Sequence, residues 1–162
     1  MKAIFLDIDG VLNNAFSKAR APSGVIGIDS RMVKRLRRIV DETGAKLVLT
    51  SSWKTDAGED RDYMLRKLGR ERLRIMMHTV DEGWNRWEGI RRWMDRYGED
   101  LEAYVILDDE LFVDYFSNPE KEILRPEVED HLVRTEFFDR EGGLREGHVE
   151  QAVRILNGQV KH

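Results

Sequence analysis

Short apolar runs recur along the chain and are separated by stretches of mixed polarity. A run of this kind without polar interruption is typical of a strand that is buried on both faces of a parallel sheet. The runs lie at residues 3–6, 45–50, 73–80, 103–107 and 131–135. They predict a sheet of about five strands.

The segments between these runs show the apolar spacing of amphipathic helices. Val33, Leu36 and Ile39 recur at helical intervals, after Asp29 or Ser30 as a predicted cap. Similar helical spacing is found at residues 63–69, 84–98 and 149–158, whereas 111–130 is predicted to be a loop. Strands that alternate with helices predict an α/β fold with a doubly wound parallel sheet.

Acidic side chains follow two of the predicted strands. Asp7 and Asp9 come directly after the first run, and Asp108 and Asp109 come directly after the fourth. Ligands of open α/β sheets bind at the carboxyl ends of the strands. Because neighbouring carboxylates repel, we expect a hard cation such as Mg²⁺ between them. Gly10 permits the tight turn that brings the backbone close to this site.

Hydroxyl groups follow the second predicted strand. Thr50 and Ser51, with the backbone N–H groups of the turn, suit a bound phosphoryl group. Trp53 and Lys54 come next. Trp53 is either a core residue or an aromatic at the mouth of the site, where it stacks on a base or sugar. Lys54 is then placed to meet a further phosphate of the substrate.

Composition narrows the class of protein. The 162 residues suit one domain over the whole chain, 1–162. The net charge of −4 argues against the global basic field of a general DNA binder. Cysteine is absent, which excludes disulfides, thiol catalysis and cysteine-ligated zinc. No apolar stretch approaches the roughly 20 residues of a membrane span, and no signal peptide is visible, so we expect a cytoplasmic enzyme with no membrane partner.

The stretch Asp7-Ile8-Asp9-Gly10-Val11-Leu12 resembles motif I of the haloacid dehalogenase (HAD) phosphohydrolases. The resemblance implies that Asp7 is a nucleophile that forms an aspartyl-phosphate. It also implies that Asp9 acts as the general acid and base.

Later segments resemble the other HAD motifs in the expected order. Thr50 matches motif II, whose hydroxyl binds the transferring phosphoryl group. Asp108 and Asp109 match motif IV. The resemblance implies that Mg²⁺ is held by Asp7, the backbone carbonyl of Asp9 and Asp109. It also implies that Asp108 reaches the ion indirectly, through water or through a bond to one of the ligands.

HAD enzymes also place a lysine or arginine, motif III, at the start of a helix. It neutralises the charge of the nucleophile and of the phosphoryl group. Arg86 is the best match, and Arg91 and Arg92 are nearby rivals.

The chain is most similar to the small HAD domains associated with RNA-repair proteins. It has no large cap insertion, because residues 13–28 form only a predicted small flap. An open site favours a phosphatase of polynucleotide ends, with a DNA or RNA end as substrate. The alternatives are a nucleotide or small-metabolite phosphatase and a non-catalytic module that binds phosphate or nucleic acid. The oligomeric state stays open.

Overall fold

Five parallel strands form one sheet in the order β3-β2-β1-β4-β5. The computed structural model describes residues 1–54, 58–80, 86–111 and 126–158. The strands are β1 Lys2–Leu6, β2 Lys46–Leu49, β3 Ile75–His78, β4 Ala103–Asp108 and β5 Leu132–Arg134. This sheet confirms the predicted doubly wound α/β fold, and each strand lies within or close to its predicted run.

Helices connect the strands, as the apolar spacing predicted. They are α1 Ser30–Thr43, α2 Glu59–Gly69, α3 Arg86–Tyr97, α4 Pro126–Glu129 and α5 Glu146–Leu156, with 3₁₀ turns at Ser52–Lys54 and Gly98–Asp100. The short α4 corrects the loop predicted over 111–130, of which residues 112–125 lie outside the described residues. In the described ranges, no helix is long and apolar enough to cross a membrane.

The central strand β1 is buried on both faces. Ile4 and Leu6 join one hydrophobic cluster with residues of α1, α2 and α5. Phe5 joins a second cluster on the opposite face, where its ring meets Trp93 of α3 edge to face at 5.4 Å between centroids. This burial fixes β1 in place and therefore fixes the position of the residues that follow it.

Both ends of α1 are capped, and Asp29 is one of the two caps predicted for its start. The side chain of Asp29 accepts a hydrogen bond from the backbone N–H of Arg31. Gly44 ends the helix with a φ of 71°, and its N–H donates to the carbonyl of Val40. A residue without a side chain adopts this left-handed conformation at low cost.

The predicted flap, residues 13–28, is tied to the loop that precedes α5. The amide of Asn14 donates to the carbonyls of Arg140, at 3.3 Å, and Gly142, at 3.1 Å. The backbone N–H of Ala15 donates to the carbonyl of Phe137 at 2.8 Å. Near its other end, the N–H of Ile28 donates to the hydroxyl of Tyr63. The flap is therefore anchored on two sides.

Replacing Asn14 with alanine is expected to lower the melting temperature by roughly 2–10 °C. The change removes buried hydrogen bonds, each with a desolvation cost of about 1–3 kcal/mol when one partner is lost, and one kcal/mol corresponds to about 2–4 °C at this size. Asn157→Ala is the matched control, because exposed Asn157 accepts from Lys2 at the surface. Thermal unfolding measures both variants. Equal melting temperatures for the two would contradict the anchoring role of Asn14.

Candidate active site

Three carboxylates meet at the carboxyl edge of the sheet. Leu6 of β1 pairs with Leu107 of β4, so Asp7 and Asp108 come next to each other on neighbouring strands. The backbone N–H of Asp7 donates to the carbonyl of Leu107 at 3.1 Å. Asp7, Asp108 and Asp109 each place one oxygen within 4.8 Å of the others. The structure thus brings together the acidic residues from the ends of the first and fourth strands.

Arg86 bridges two of these carboxylates. Its Nη1 lies 2.9 Å from Oδ2 of Asp7 and 3.1 Å from Oδ2 of Asp108. Arg86 is the first residue of α3, so the helix begins at the carboxylates. Its two rivals lie farther along the helix, where Arg91 is exposed and Arg92 pairs with Glu88. Of the three candidates, Arg86 is therefore the arginine that contacts the acidic residues.

Burial raises the pKa of each of the three carboxyl groups. The pKa of Asp7 lies well above its ordinary value, because of burial first and the charge of Asp108 second, while Arg86 opposes both. Burial also raises the pKa of Asp108, and it raises the pKa of Asp109 to about 6. Arg86 opposes this effect at Asp7 and Asp108 but does not reverse it at either carboxyl group.

The acidic group fits a divalent cation. All three side chains offer hard oxygen donors, which Mg²⁺ prefers. Once Arg86 is counted, the fully ionised group carries two negative charges, which a divalent ion would neutralise. The carboxylate of Asp9 is outside this group. The predicted role of its backbone carbonyl as a ligand stays a prediction.

The carboxylate of Asp9 is held by two hydrogen-bond donors. Asn13 donates from its amide to Oδ1 at 2.9 Å, and the indole of Trp53 donates to Oδ2 at 3.2 Å. Asn13 also accepts from the backbone N–H of Gly10 and donates to the carbonyl of Gly27. The turn after β1 therefore orients Asp9 separately from the three clustered carboxylates.

The predicted stacking role of Trp53 is wrong for this structure. Its side chain is only 3% exposed and packs in the larger hydrophobic cluster, so no ring face is open to a base. The 3₁₀ turn at Ser52–Lys54 directs the indole inwards, where its N–H reaches Asp9. The side chain of Lys54 lies outside the described residues.

The other residues predicted for the site lie at the same carboxyl edge of the sheet. Thr50 follows β2, and its backbone N–H donates to the carbonyl of Leu6, which places it beside Asp7. Ser51 is buried, and its hydroxyl accepts from the N–H of Trp53. Gly10 has a φ of +85°, and a Cβ there would lie 2.3 Å from Cγ of Asp109. A side chain at position 10 would displace this carboxylate.

Sequence reasoning missed two residues at this edge. Asn13 lies four positions after Asp9, and an asparagine in a turn commonly bonds to nearby backbone groups, which was a usable signal. Arg134 of β5 pairs in register with Asp108 and donates from Nη1 to the carbonyl of Asp109 at 2.9 Å. That contact depends on the order of strands in the sheet, which the sequence does not display.

One of three comparisons with known proteins gave a match. A family model described as "HAD domain in Swiss Army Knife RNA repair proteins" matches residues 3–149. The match includes all three clustered carboxylates, Asp9 and Arg86. Neither the search of curated proteins nor the search of solved structures gave a match.

Replacing Asp109 with asparagine is expected to raise the melting temperature by roughly 2–6 °C in metal-free buffer above about pH 6. The pKa of Asp109 is raised in the folded state, so its ionised form opposes folding. The gain disappears as the pH falls below the ordinary value of 3.8, where folded and unfolded chains are both protonated.

Thermal unfolding in chelator, and then in Mg²⁺, checks this expectation. Mg²⁺ is expected to stabilise the wild type more than Asp109→Asn. Glu42→Gln is the control, because Glu42 is an exposed carboxylate on α1. A lower melting temperature for Asp109→Asn in chelator would contradict the conclusion that burial disfavours the ionised carboxylate of Asp109.

Proposed function

Because the chain belongs to the family of HAD domains found in Swiss Army Knife RNA repair proteins, we propose that it is a Mg²⁺-dependent phosphomonoesterase. It forms an aspartyl-phosphate and acts on phosphorylated polynucleotide ends. The observation that carries the proposal is the pairing of Arg86 with Asp7 and Asp108, beside a separately oriented Asp9.

Asp7 is the nucleophile in this proposal. One carboxylate oxygen accepts from the backbone N–H of Ile8 at 2.9 Å, and the other pairs with Arg86. These contacts hold the buried carboxylate in one orientation, and the guanidinium favours its charged form. A carboxylate oxygen of Asp7 attacks the phosphorus atom as the bond between phosphorus and the leaving oxygen breaks.

Asp9 moves the protons. It protonates the leaving alkoxide, and it later accepts a proton from the water that hydrolyses the aspartyl-phosphate. Asn13 and Trp53 fix its two oxygens, so little motion is needed between these steps. A protein that only binds phosphate gains nothing from a second oriented carboxylate, which favours catalysis over the binding-module alternative.

The negative charge of the phosphoryl group is balanced by groups at the ends of β1, β2 and β4 and at the start of α3. Thr50 lies beside Asp7, where its hydroxyl and the following turn can bind phosphoryl oxygens. Arg86 offers a guanidinium to the same group. Mg²⁺ bound by Asp7, Asp108 and Asp109 would neutralise part of the phosphoryl charge.

The small size of the connections after β1 and β2 supports a large substrate. In the ranges that the structure describes, the chain after β1 forms only the small flap, and the chain after β2 forms a turn and α2. No cap domain lies in those ranges, which favours a substrate as large as the end of a polynucleotide. The alternative is a phosphatase of nucleotides or small metabolites. Comparing turnover of oligonucleotide ends with turnover of small phosphate esters distinguishes the two.

The variant Asp7→Asn is expected to lose turnover on an end-phosphorylated oligonucleotide and on an aryl phosphate, because an amide is a poor nucleophile. Phosphate release with Mg²⁺ measures both substrates, and circular dichroism verifies the fold. Asp41→Asn is the control, since Asp41 pairs with Arg37 on the exposed face of α1. Turnover of Asp7→Asn within about tenfold of wild type would contradict the covalent mechanism. Preference for sugar phosphates would instead favour the metabolite alternative.

Trp53→Phe is expected to lower kcat about 10- to 100-fold, because it removes one hydrogen bond to a charged Asp9 and keeps an aromatic ring in the core. Trp93→Phe is the matched control. Trp93 is also buried, but its indole nitrogen has no hydrogen-bond partner among the described residues. Steady-state kinetics on the aryl phosphate separates the two variants. If both lose kcat equally, Trp53 acts only through packing.

A further inference from the structure

A second concave site lies beside the flap and is not lined by the clustered carboxylates. Its volume is about 510 Å³, within the range of pockets that hold small organic groups. The flap, the start of α1, the last turn of α2 and the loop before α5 form its walls. The residues that matter here are Asn14, Phe16, Lys18, Arg31, Lys67 and Arg140. We name it the flap pocket.

Positive charge predominates in the flap pocket. Lys18, Lys67, Arg31 and Arg140 line it, against the single carboxylate of Asp29. That carboxylate is already engaged by Arg31 at 2.8 Å. The chain as a whole has a net charge of −4, so the excess of cations is local. The charge is complementary to an anion.

An exposed aromatic ring accompanies these cations. Phe16 is 50% exposed, and the guanidinium of Arg140 lies 4.9 Å from the centre of its ring. A second ring, that of Phe138, is 81% exposed. The backbone carbonyl of its neighbour Phe137 accepts a hydrogen bond from the N–H of Ala15 in the flap. Aromatic rings combined with basic groups are how proteins bind single-stranded nucleic acid, by stacking on bases and pairing with phosphates.

The flap pocket is joined to the catalytic turn by adjacent residues. Asn13 donates to Asp9, and Asn14 lines the pocket. The backbone that holds Asp9 through Asn13 therefore continues directly into the wall of the pocket.

We propose that the flap pocket binds a nucleotide unit of the single-stranded polynucleotide whose phosphorylated end is hydrolysed at Asp7. Its base stacks on Phe16, and its backbone phosphate pairs with Lys18, Lys67 and Arg140. The assignment of the reacting end rests on the proposed function, whereas binding in the pocket is measured independently. A duplex fits less well, because its bases are already stacked on each other.

Fluorescence anisotropy tests the binding directly. The probe is a labelled single-stranded RNA with hydroxyl groups at both ends, so that no phosphomonoester is present. Phe16→Ala is expected to weaken binding about 5- to 100-fold, the range of one lost base–aromatic stack. The plot of log affinity against log salt concentration has a negative slope. Lys18→Ala and Arg140→Ala are each expected to make this slope shallower by about 0.7.

Two control variants change residues that do not line the flap pocket. Tyr97→Ala removes an exposed ring that also has an arginine nearby, Arg96 at 5.4 Å. Lys46→Ala removes an exposed lysine at the start of β2. Both are expected to bind the RNA as the wild type does. Equal losses in pocket and control variants, or binding of poly-glutamate as tight as that of RNA, would overturn the proposal.

Turnover distinguishes the pocket from the proposed function. The ratio to compare is kcat/KM for an end-phosphorylated oligonucleotide divided by kcat/KM for an aryl phosphate. If the wild type hydrolyses the oligonucleotide and the pocket variants have the same ratio as the wild type, the pocket assignment fails and the proposed function stands. If the variants lose RNA binding but the wild type does not hydrolyse oligonucleotide ends, the pocket is supported and the proposed function fails. Single-stranded DNA of the same sequence shows whether the 2′-hydroxyl contributes. Duplex RNA that binds as tightly as the single strand would overturn the proposal.

Discussion

The contact of Arg86 with Asp7 and Asp108 is the interaction on which the site depends. Two acidic side chains lie buried beside each other because β1 and β4 are neighbours in the sheet. Without a cation, burial and mutual repulsion would favour their protonated forms. A guanidinium at the start of α3 offsets part of this cost. The remaining negative charge, shared with Asp109, makes the edge suitable for a divalent cation and for a phosphate that the cation shields.

The turn after β1 gives its two aspartates different surroundings. Asp7 lies with the clustered carboxylates, whereas Asp9 bonds to Asn13 and Trp53. Gly10 lets this turn approach Asp109 closely. Because the same turn continues into the flap, the positions of Asp7 and Asp9 and the geometry of the flap pocket are linked through the backbone. A substrate that fills the pocket would be aligned with the turn that holds Asp9.

The sequence predicts the strand ends well, because buried parallel strands produce apolar runs and the acidic residues follow them directly. It does not separate Arg86 from Arg91 and Arg92, since choosing among them requires knowing where α3 begins relative to the sheet. The stacking role of Trp53 was wrong because a residue next to a site can turn inwards, and spacing alone does not give that direction. Arg134 was missed because its register with β4 arises only when the sheet is assembled.

The central claim is that Asp7 carries the phosphoryl group during turnover. Acyl phosphates are reduced by borohydride, and reduction of an aspartyl-phosphate leaves homoserine at the position that was phosphorylated. The protein is therefore mixed with substrate and Mg²⁺, quenched with borohydride during turnover, and digested for peptide mass spectrometry. The account predicts homoserine at position 7 only when substrate is present. Homoserine at another acidic residue, or none at position 7 while phosphate is being released, would contradict it.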